Sequence, residues 1–284
     1  MKKVRDIETT NEGLFWQSFG DPRGQSLVLV HGWGMNGAVW QQTATALSTH
    51  YHVHVVDLPG FGHSSQHDFT DMAHLAQQVL VDAPAHAVWL GWSLGGLLAT
   101  HIALHHPDRV SKLITVASSP KFEAGERTLA HSEASQTPSQ APSRSLWRGI
   151  APKVLSQFSQ QLADDFALTI ERFMALQAMG SPSARQDIKT LKHAVLSRPA
   201  PNPDALMTGL TLLADCDYRH QLAAISQPTL RLYGRLDGLV PAKVAKDVSA
   251  LMPHSTSHLF TASSHAPFIT EFDHFCQIIK EWVE

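Results

Sequence analysis

Cysteine is nearly missing from this chain: its 284 residues hold two, Cys216 and Cys276. The pair fits no zinc spacing, and without an export signal it is expected as reduced thiols rather than a disulfide. Long apolar runs are missing too. No stretch of about 18 apolar residues occurs, so no transmembrane helix and no membrane partner are expected. The opening Met1-Lys2-Lys3-Val4-Arg5-Asp6-Ile7-Glu8 is basic, but no apolar segment follows it. It does not read as a signal peptide, and a cytoplasmic protein is expected. Charge is sparse, at 17% of residues, and nearly balanced, at a net −3. That balance argues against a nucleic-acid binder driven by overall charge. Eighteen histidines are scattered, with no H-E-x-x-H run and no His/Cys cluster. Neither a metal site nor a cofactor is expected.

What is present is a large core. A hydrophobic share of 43% over this length suits one α/β domain with an insertion, or two domains. Leu14–Phe19 reads as an edge strand. Ser26-Leu27-Val28-Leu29-Val30 and His52-Val53-His54-Val55-Val56 follow as strands, with a helix over roughly 39–48 between them. A helix over roughly 70–82 leads to a third apolar run, Ala87-Val88-Trp89-Leu90, and Lys112–Ala117 is a further strand. Strands alternating with helices predict βαβ units in a mostly parallel sheet.

The alternation stops from about 120 to 212, where no convincing strand is read. Residues 124–146 are rich in Ser, Ala, Gln, Glu and Pro, and are expected to stay flexible. Asp164-Asp165-Phe166 opens a helix that carries Ile170, Phe173, Met174 and Leu176 and ends at Gly180. Ser181-Pro182 reads as the cap and first residue of another, reaching Leu196. Residues 204–214 resume as helix. The βα pattern returns with Pro228–Gly234, a helix over 242–251, a strand at 256–261 and a helix near 271–283. The division this predicts is a core of 1–120 and 213–284, with an inserted helical cap over 121–212.

The chemistry centres on Gly91-Trp92-Ser93-Leu94-Gly95-Gly96. A strand, then G-x-S-x-G, then a helix is the context of a nucleophile elbow. A Gly-rich turn with an ordinary capping serine is the plainer alternative. An elbow serine needs a base and an orienting acid, in the chain order Ser, Asp or Glu, His. Asp237 and His265 lie in that order, each just past the carboxyl end of a strand. Each could instead be an ordinary loop residue. Asp57 precedes the serine and reads as loop-structuring. In the assigned roles His265 takes the Ser93 proton, Asp237 fixes its tautomer, and Ser93 forms an acyl-enzyme. Leu94 and Trp33, the latter in His31-Gly32-Trp33-Gly34, fit the two N–H donors of an oxyanion hole. The Trp33 and Trp92 side chains are expected to wall the pocket.

These segments resemble the α/β-hydrolase superfamily. With Ile170-Glu171-Arg172-Phe173-Met174-Ala175-Leu176-Gln177, Arg231–Pro241 and His265-Ala266-Pro267-Phe268, the chain is more closely similar to the pimeloyl-acyl-carrier-protein methyl ester esterases of biotin synthesis. The resemblance implies an α/β-hydrolase fold with a helical cap. It implies hydrolysis of a methyl ester on a pimeloyl chain borne by acyl carrier protein, with release of methanol. It further implies that Trp33, Ser93, Leu94, Phe173, Met174, Ala175, Leu176, Gln177 and His265 contact the acyl ester. A monomer is expected.

Arg185, Lys189 and Lys192 are spaced to share one helical face, beside an apolar face of Ala184, Ile188, Leu191 and Val195. With Arg172 they make a basic surface suited to an acidic carrier protein, unless it is simply a solvated face. Two departures stand out: Leu168 sits where the family has a basic residue, and 124–146 is longer than the family's usual connection. A general short-chain carboxylesterase would use the same triad without the carrier. A non-catalytic receptor of this fold would lack part of the triad, and serine at 93 excludes relatives with an aspartate nucleophile.

Overall fold

The computed structural model describes residues 5–6, 13–126 and 146–284. Eight strands form one sheet: β1 (Arg5–Asp6), β2 (Trp16–Phe19), β3 (Ser26–Val30), β4 (His52–Val56), β5 (Ala87–Trp92), β6 (Val110–Val116) and, after the insertion, two more. A two-residue ribbon, β7 (Gly125–Glu126) with β8 (Leu146–Trp147), stands apart from it. The last sheet strands are β9 (Thr229–Gly234) and β10 (Thr256–Phe260), and the spatial order is β1-β2-β4-β3-β5-β6-β9-β10. β1 and β2 run antiparallel to their neighbours, and the pairs from β4 to β10 are parallel. All six residues of β5 and all six of β9 are buried, because helices cover both faces of the parallel part.

The helices between strands are α1 (Gln41–Leu47), α2 (Met72–Asp82) and α3 (Leu94–His105). β3 leads outward to β4 on one side, and β5 returns to lie on its other side. The strand order therefore reverses between β3 and β5, where open α/β sheets form a crevice at the strand carboxyl ends.

Among the described residues four helices fill the insertion: α4 (Pro152–Asp164), α5 (Phe166–Ala178), α6 (Ala184–Leu196) and α7 (Pro203–Asp215). α4 is not among the helices expected from the sequence; its signal is Leu155, Phe158 and Leu162 at helical spacing, all buried. The β7–β8 ribbon corrects the expectation of no strand there, since two residues are too few to show a period. The stretch 127–145, where the sequence predicts flexibility, lies outside the described residues. α6 also starts later than predicted. Ser181 does not cap it, because the Ser181 and Ser183 hydroxyls both donate to the Asp187 carboxylate, at 2.7 and 2.9 Å. The chain closes with α8 (Lys243–Leu251), the short α9 (Pro267–Thr270) and α10 (Phe272–Val283).

The insertion sits on the core through specific bonds. The Trp33 indole N–H donates to Leu206 O at 2.8 Å, and Asn36 Nδ2 to Val195 O at 3.1 Å. Arg198, just past α6, forms a buried ion pair with Asp57. Asp57 also accepts from the Gly37 and His63 N–H groups, at 2.6 and 2.8 Å. Its place is therefore in the loop framework beside β3 and β4.

Candidate active site

One residue, Ser93, turns the chain from β5 into α3. It takes φ 55 and ψ −117, where an L residue is strained. Its neighbours hold it there. Ser93 N donates to Val116 O at 2.9 Å, and Ser93 O accepts from Gly96 N, Leu97 N and the Ser118 hydroxyl at 2.9, 3.1 and 2.9 Å. The flanking glycines answer a demand for space. A Cβ on Gly91 would lie 2.1 Å from Gly95 O, and one on Gly95 would lie 2.5 Å from Val30 O.

The carboxyl ends of β9 and β10 bring two more side chains to this point. His265 Nε2 is 2.9 Å from Ser93 Oγ, and His265 Nδ1 is 2.7 Å from Asp237 Oδ2. The other Asp237 oxygen accepts from the Leu239 and Val240 N–H groups at 2.8 and 2.9 Å, so the carboxylate is held on both sides. Because a carboxylate only accepts, Nδ1 carries the proton and Nε2 is left to accept from the serine hydroxyl. All three residues are buried, with His265 at 0% exposure. The His265 backbone is gripped as well: its N–H donates to Gln177 O at 3.0 Å and its C=O accepts from the Trp92 indole at 2.7 Å. Trp92 packs against Trp40 and Phe268, so its ring supports the histidine loop from the core.

The end of β3 orients a peptide toward the serine. Gly32 packs at Ser93, where an added Cβ would be 3.2 Å from Ser93 Cβ. His31 Nε2 must accept, since the Leu58 N–H points at it at 3.0 Å, so Nδ1–H donates to Gly32 O at 2.9 Å. Met35 N also donates to Gly32 O, at 3.3 Å. With that carbonyl pinned in a planar trans peptide, the Trp33 N–H points the opposite way. Leu94 is the first residue of α3, so its N–H has no acceptor within the helix. Among the described residues no three His, Cys, Asp or Glu side chains gather as metal ligands would.

Comparison with known proteins fits this geometry. A family model described as alpha/beta hydrolase fold matches residues 25–272. The chain belongs to the alpha/beta hydrolase family. This hydrolase is 60% identical over 274 residues to the pimeloyl-(acyl-carrier protein) methyl ester esterase of Vibrio atlanticus, covering 96% of this chain and 99% of the relative. It is 61% identical over 269 residues to the protein of that name from Vibrio cholerae, covering 95% and 97%. Among solved structures it resembles a bromoperoxidase from Bacillus anthracis, with a TM-score of 0.78 at 19% identity and 95% of each chain covered. The last likeness speaks for the fold alone.

In the hydrolase the helices of the insertion bring further predicted residues to the site. Phe173 packs edge-on to Trp33, ring centroids 4.8 Å apart, and to Phe158 at 5.8 Å. Phe173, Met174 and Gln177 are buried, whereas Ala175 is exposed. Advancing 100° per residue carries Ala175 toward the exposed side of α5. Gln177 is 1% exposed, and among the described residues neither polar atom of its amide has a partner. Arg172, Arg185, Lys189 and Lys192 all lie on the exposed surface. Lys192 is paired with Glu171 of α5, a partner that spacing within α6 alone does not reveal.

Two buried histidines, His31 and His101, and the half-buried His54 give the hydrolase a defined acid response. His31, His54 and His101 are each pushed down from 6.5 to about 4, chiefly by burial. The unfolded chain takes up these protons near pH 6.5, while the folded chain resists until about pH 4. Each histidine's contribution to stability is therefore present above 6.5 and lost progressively as pH falls to 4. The thermal midpoint should drop across that window, and less steeply in His101→Gln. Equal slopes in the two proteins would contradict the assignment.

Proposed function

We propose that this hydrolase cleaves the methyl ester of a pimeloyl chain carried on acyl carrier protein, releasing methanol. That step ends chain elongation before biotin ring assembly. The observation that carries the chemistry is the unbroken hydrogen-bonded line from Ser93 through His265 to Asp237. The names of relatives about 60% identical over nearly the whole chain support the substrate.

Ser93 Oγ attacks the ester carbonyl as His265 Nε2 takes its proton, and Asp237 stabilises the imidazolium that forms. The N–H groups of Leu94 and Trp33 hold the developing oxyanion. His265 returns the proton to the departing methoxide, leaving methanol and an acyl-serine. Water, activated by the same histidine, then releases the free acid and restores Ser93. No cofactor takes part.

The described helices within 121–212 act as a cap over this centre. Trp33, Phe173, Met174, Ala175 and Leu176 supply apolar walls for the acyl chain, and the Gln177 amide supplies a polar group there. Arg172, Arg185 and Lys189 form the face that docks the acidic carrier, with Lys192 a lesser contributor because Glu171 engages it. Leu168, 42% exposed on α5, takes an apolar place beside them. The protein works as a cytoplasmic monomer.

The test is turnover by the purified chain of pimeloyl-acyl-carrier-protein methyl ester beside a free short-chain methyl ester, read as methanol release and as mass loss on the carrier. A much higher kcat/KM on the carrier-borne ester is expected. Equal efficiency on both would replace the reading with a general short-chain carboxylesterase.

A further inference from the structure

Asp187 has no place in the chemistry above, yet among the described residues it is one of the few carboxylates that is almost fully buried, at 4% exposure. Among the described residues no cation pairs with it. Its partners are three hydroxyls: Ser181 Oγ at 2.7 Å, Ser183 Oγ at 2.9 Å and Thr270 Oγ1 at 2.9 Å. A buried carboxylate held only by neutral donors costs free energy that an apolar contact of the same size would not. What such a cluster supplies in return is direction, because the hydrogen bonds fix how the two elements meet.

The elements it joins are the cap and the histidine loop. Asp187 sits in the first turn of α6, and Thr270 ends α9, which begins two residues after His265. The backbone between is tight: Ile269 N and Thr270 N both donate to Ala266 O, at 3.0 and 3.2 Å. Movement of Thr270 is thus passed to the residue next to the histidine. The loop has other anchors. Glu271 Oε2 accepts from Ala262 N at 3.0 Å and Ser263 Oγ at 2.6 Å, which closes the loop on itself. Trp92 holds His265 O from the core, and Gln177 O holds His265 N from the cap. Two of the anchors, at Asp187 and at Gln177, therefore come from the cap.

We propose that Asp187 is a positioning residue for His265, acting through Thr270, so that the cap is part of the frame that aims the catalytic base and not only a cover. The inference rests on the reading of His265 as that base. It follows that the α5–α6 junction stays with the histidine loop during turnover, and that any opening of the cap for the acyl chain happens elsewhere. Losing the clip leaves Glu271, Trp92 and Gln177 in place, so the base is loosened rather than lost. A misplacement near 1 Å costs about 10²-fold, and a partial one is expected to cost about 3- to 30-fold.

Thr270→Val removes one hydroxyl at nearly constant shape, Thr270→Ser restores it, and Asp187→Asn keeps the volume of the acid. In the full chain, kcat and KM on p-nitrophenyl acetate are measured with the rate of phosphonylation by a small fluorophosphonate and the thermal midpoint. A small phosphonate needs the Ser93–His265 pair but little of the acyl pocket. Thr270→Val should lower kcat and the phosphonylation rate by the same factor, with KM within about twofold. Thr270→Ser should recover both rates, and Asp187→Asn should lower them. Wild-type phosphonylation in Thr270→Val and Asp187→Asn, with changes only in KM or thermal midpoint, would overturn the proposal and reduce the clip to a cap fastening. His265→Ala separates the two failures: if it phosphonylates normally, the reading of the base is at fault rather than the clip.

Discussion

Ser93→Ala is expected to lower kcat by roughly 10⁴ to 10⁶, with His265→Ala costing a similar factor, because the two side chains act as a unit. Alanine at 93 removes the only atom placed to attack. Alanine at 265 removes the acceptor 2.9 Å from that atom, so the hydroxyl must ionise unaided. Asp237→Asn should cost less. Its remaining amide oxygen can still accept from Leu239 N or Val240 N, while an NH₂ now faces His265 Nδ1 and favours the wrong tautomer. The double variant Ser93→Ala/His265→Ala should be scarcely worse than either single one. Pre-steady-state measurement with a chromogenic ester checks the assignment further: the burst of alcohol should vanish with Ser93. Retention of more than a tenth of the activity in Ser93→Ala would remove Ser93 from the mechanism.

Much of this site could be read from the chain because the fold places chemistry at strand ends. Ser93, Asp237 and His265 each follow a strand, and the strands announce themselves as short β-rich runs between turn signals. The strained turn was legible as well, since Gly91 and Gly95 are imposed by atoms 2.1 and 2.5 Å away, and such demands leave glycine in the sequence. What was not legible depends on contacts between distant segments. Nothing near Lys192 reveals that Glu171 on another helix will meet it. Nothing in Ser181-Pro182 reveals that the serine will bond Asp187 instead of capping α6. Trp92 looks like a pocket wall in a list of aromatics, and only the arrival of His265 O at its indole shows that it holds the histidine loop. The exposed place of Ala175 beside the buried Phe173, Met174 and Gln177 was readable from helical period. α9 is too short, at four residues, to show one.

The exposed cap face yields the expected result that separates a carrier-specific enzyme from a general esterase. Arg185 and Lys189 lie one helical turn apart on the outer side of α6, and the inner side of the same turn carries the buried Asp187. Charge reversal of the pair to glutamate leaves the inner contacts alone and sets like charges against an acidic carrier. The loss in kcat/KM on the carrier-borne ester should be about 1–3 kcal/mol for close contacts, and less where they stay hydrated. Lys192 alone should matter less, because its reversal first disrupts a pair with Glu171. A neutral short ester reaches Ser93 without touching this face, so its hydrolysis should not change. Salt gives an independent reading. Near physiological ionic strength screening limits the reach of exposed charges to about 8 Å, so added salt should slow capture of the carrier by the wild type. The doubly reversed protein should lose that salt dependence or show its opposite, since screening then relieves a repulsion. The measurement is kcat/KM on both esters, in both proteins, at low and high salt. Equal losses on the two esters would mean that α6 had been destabilised and the histidine clip disturbed with it. An unchanged carrier reaction would show that the carrier docks on another face, and would leave the basic residues of α6 as ordinary solvated charges.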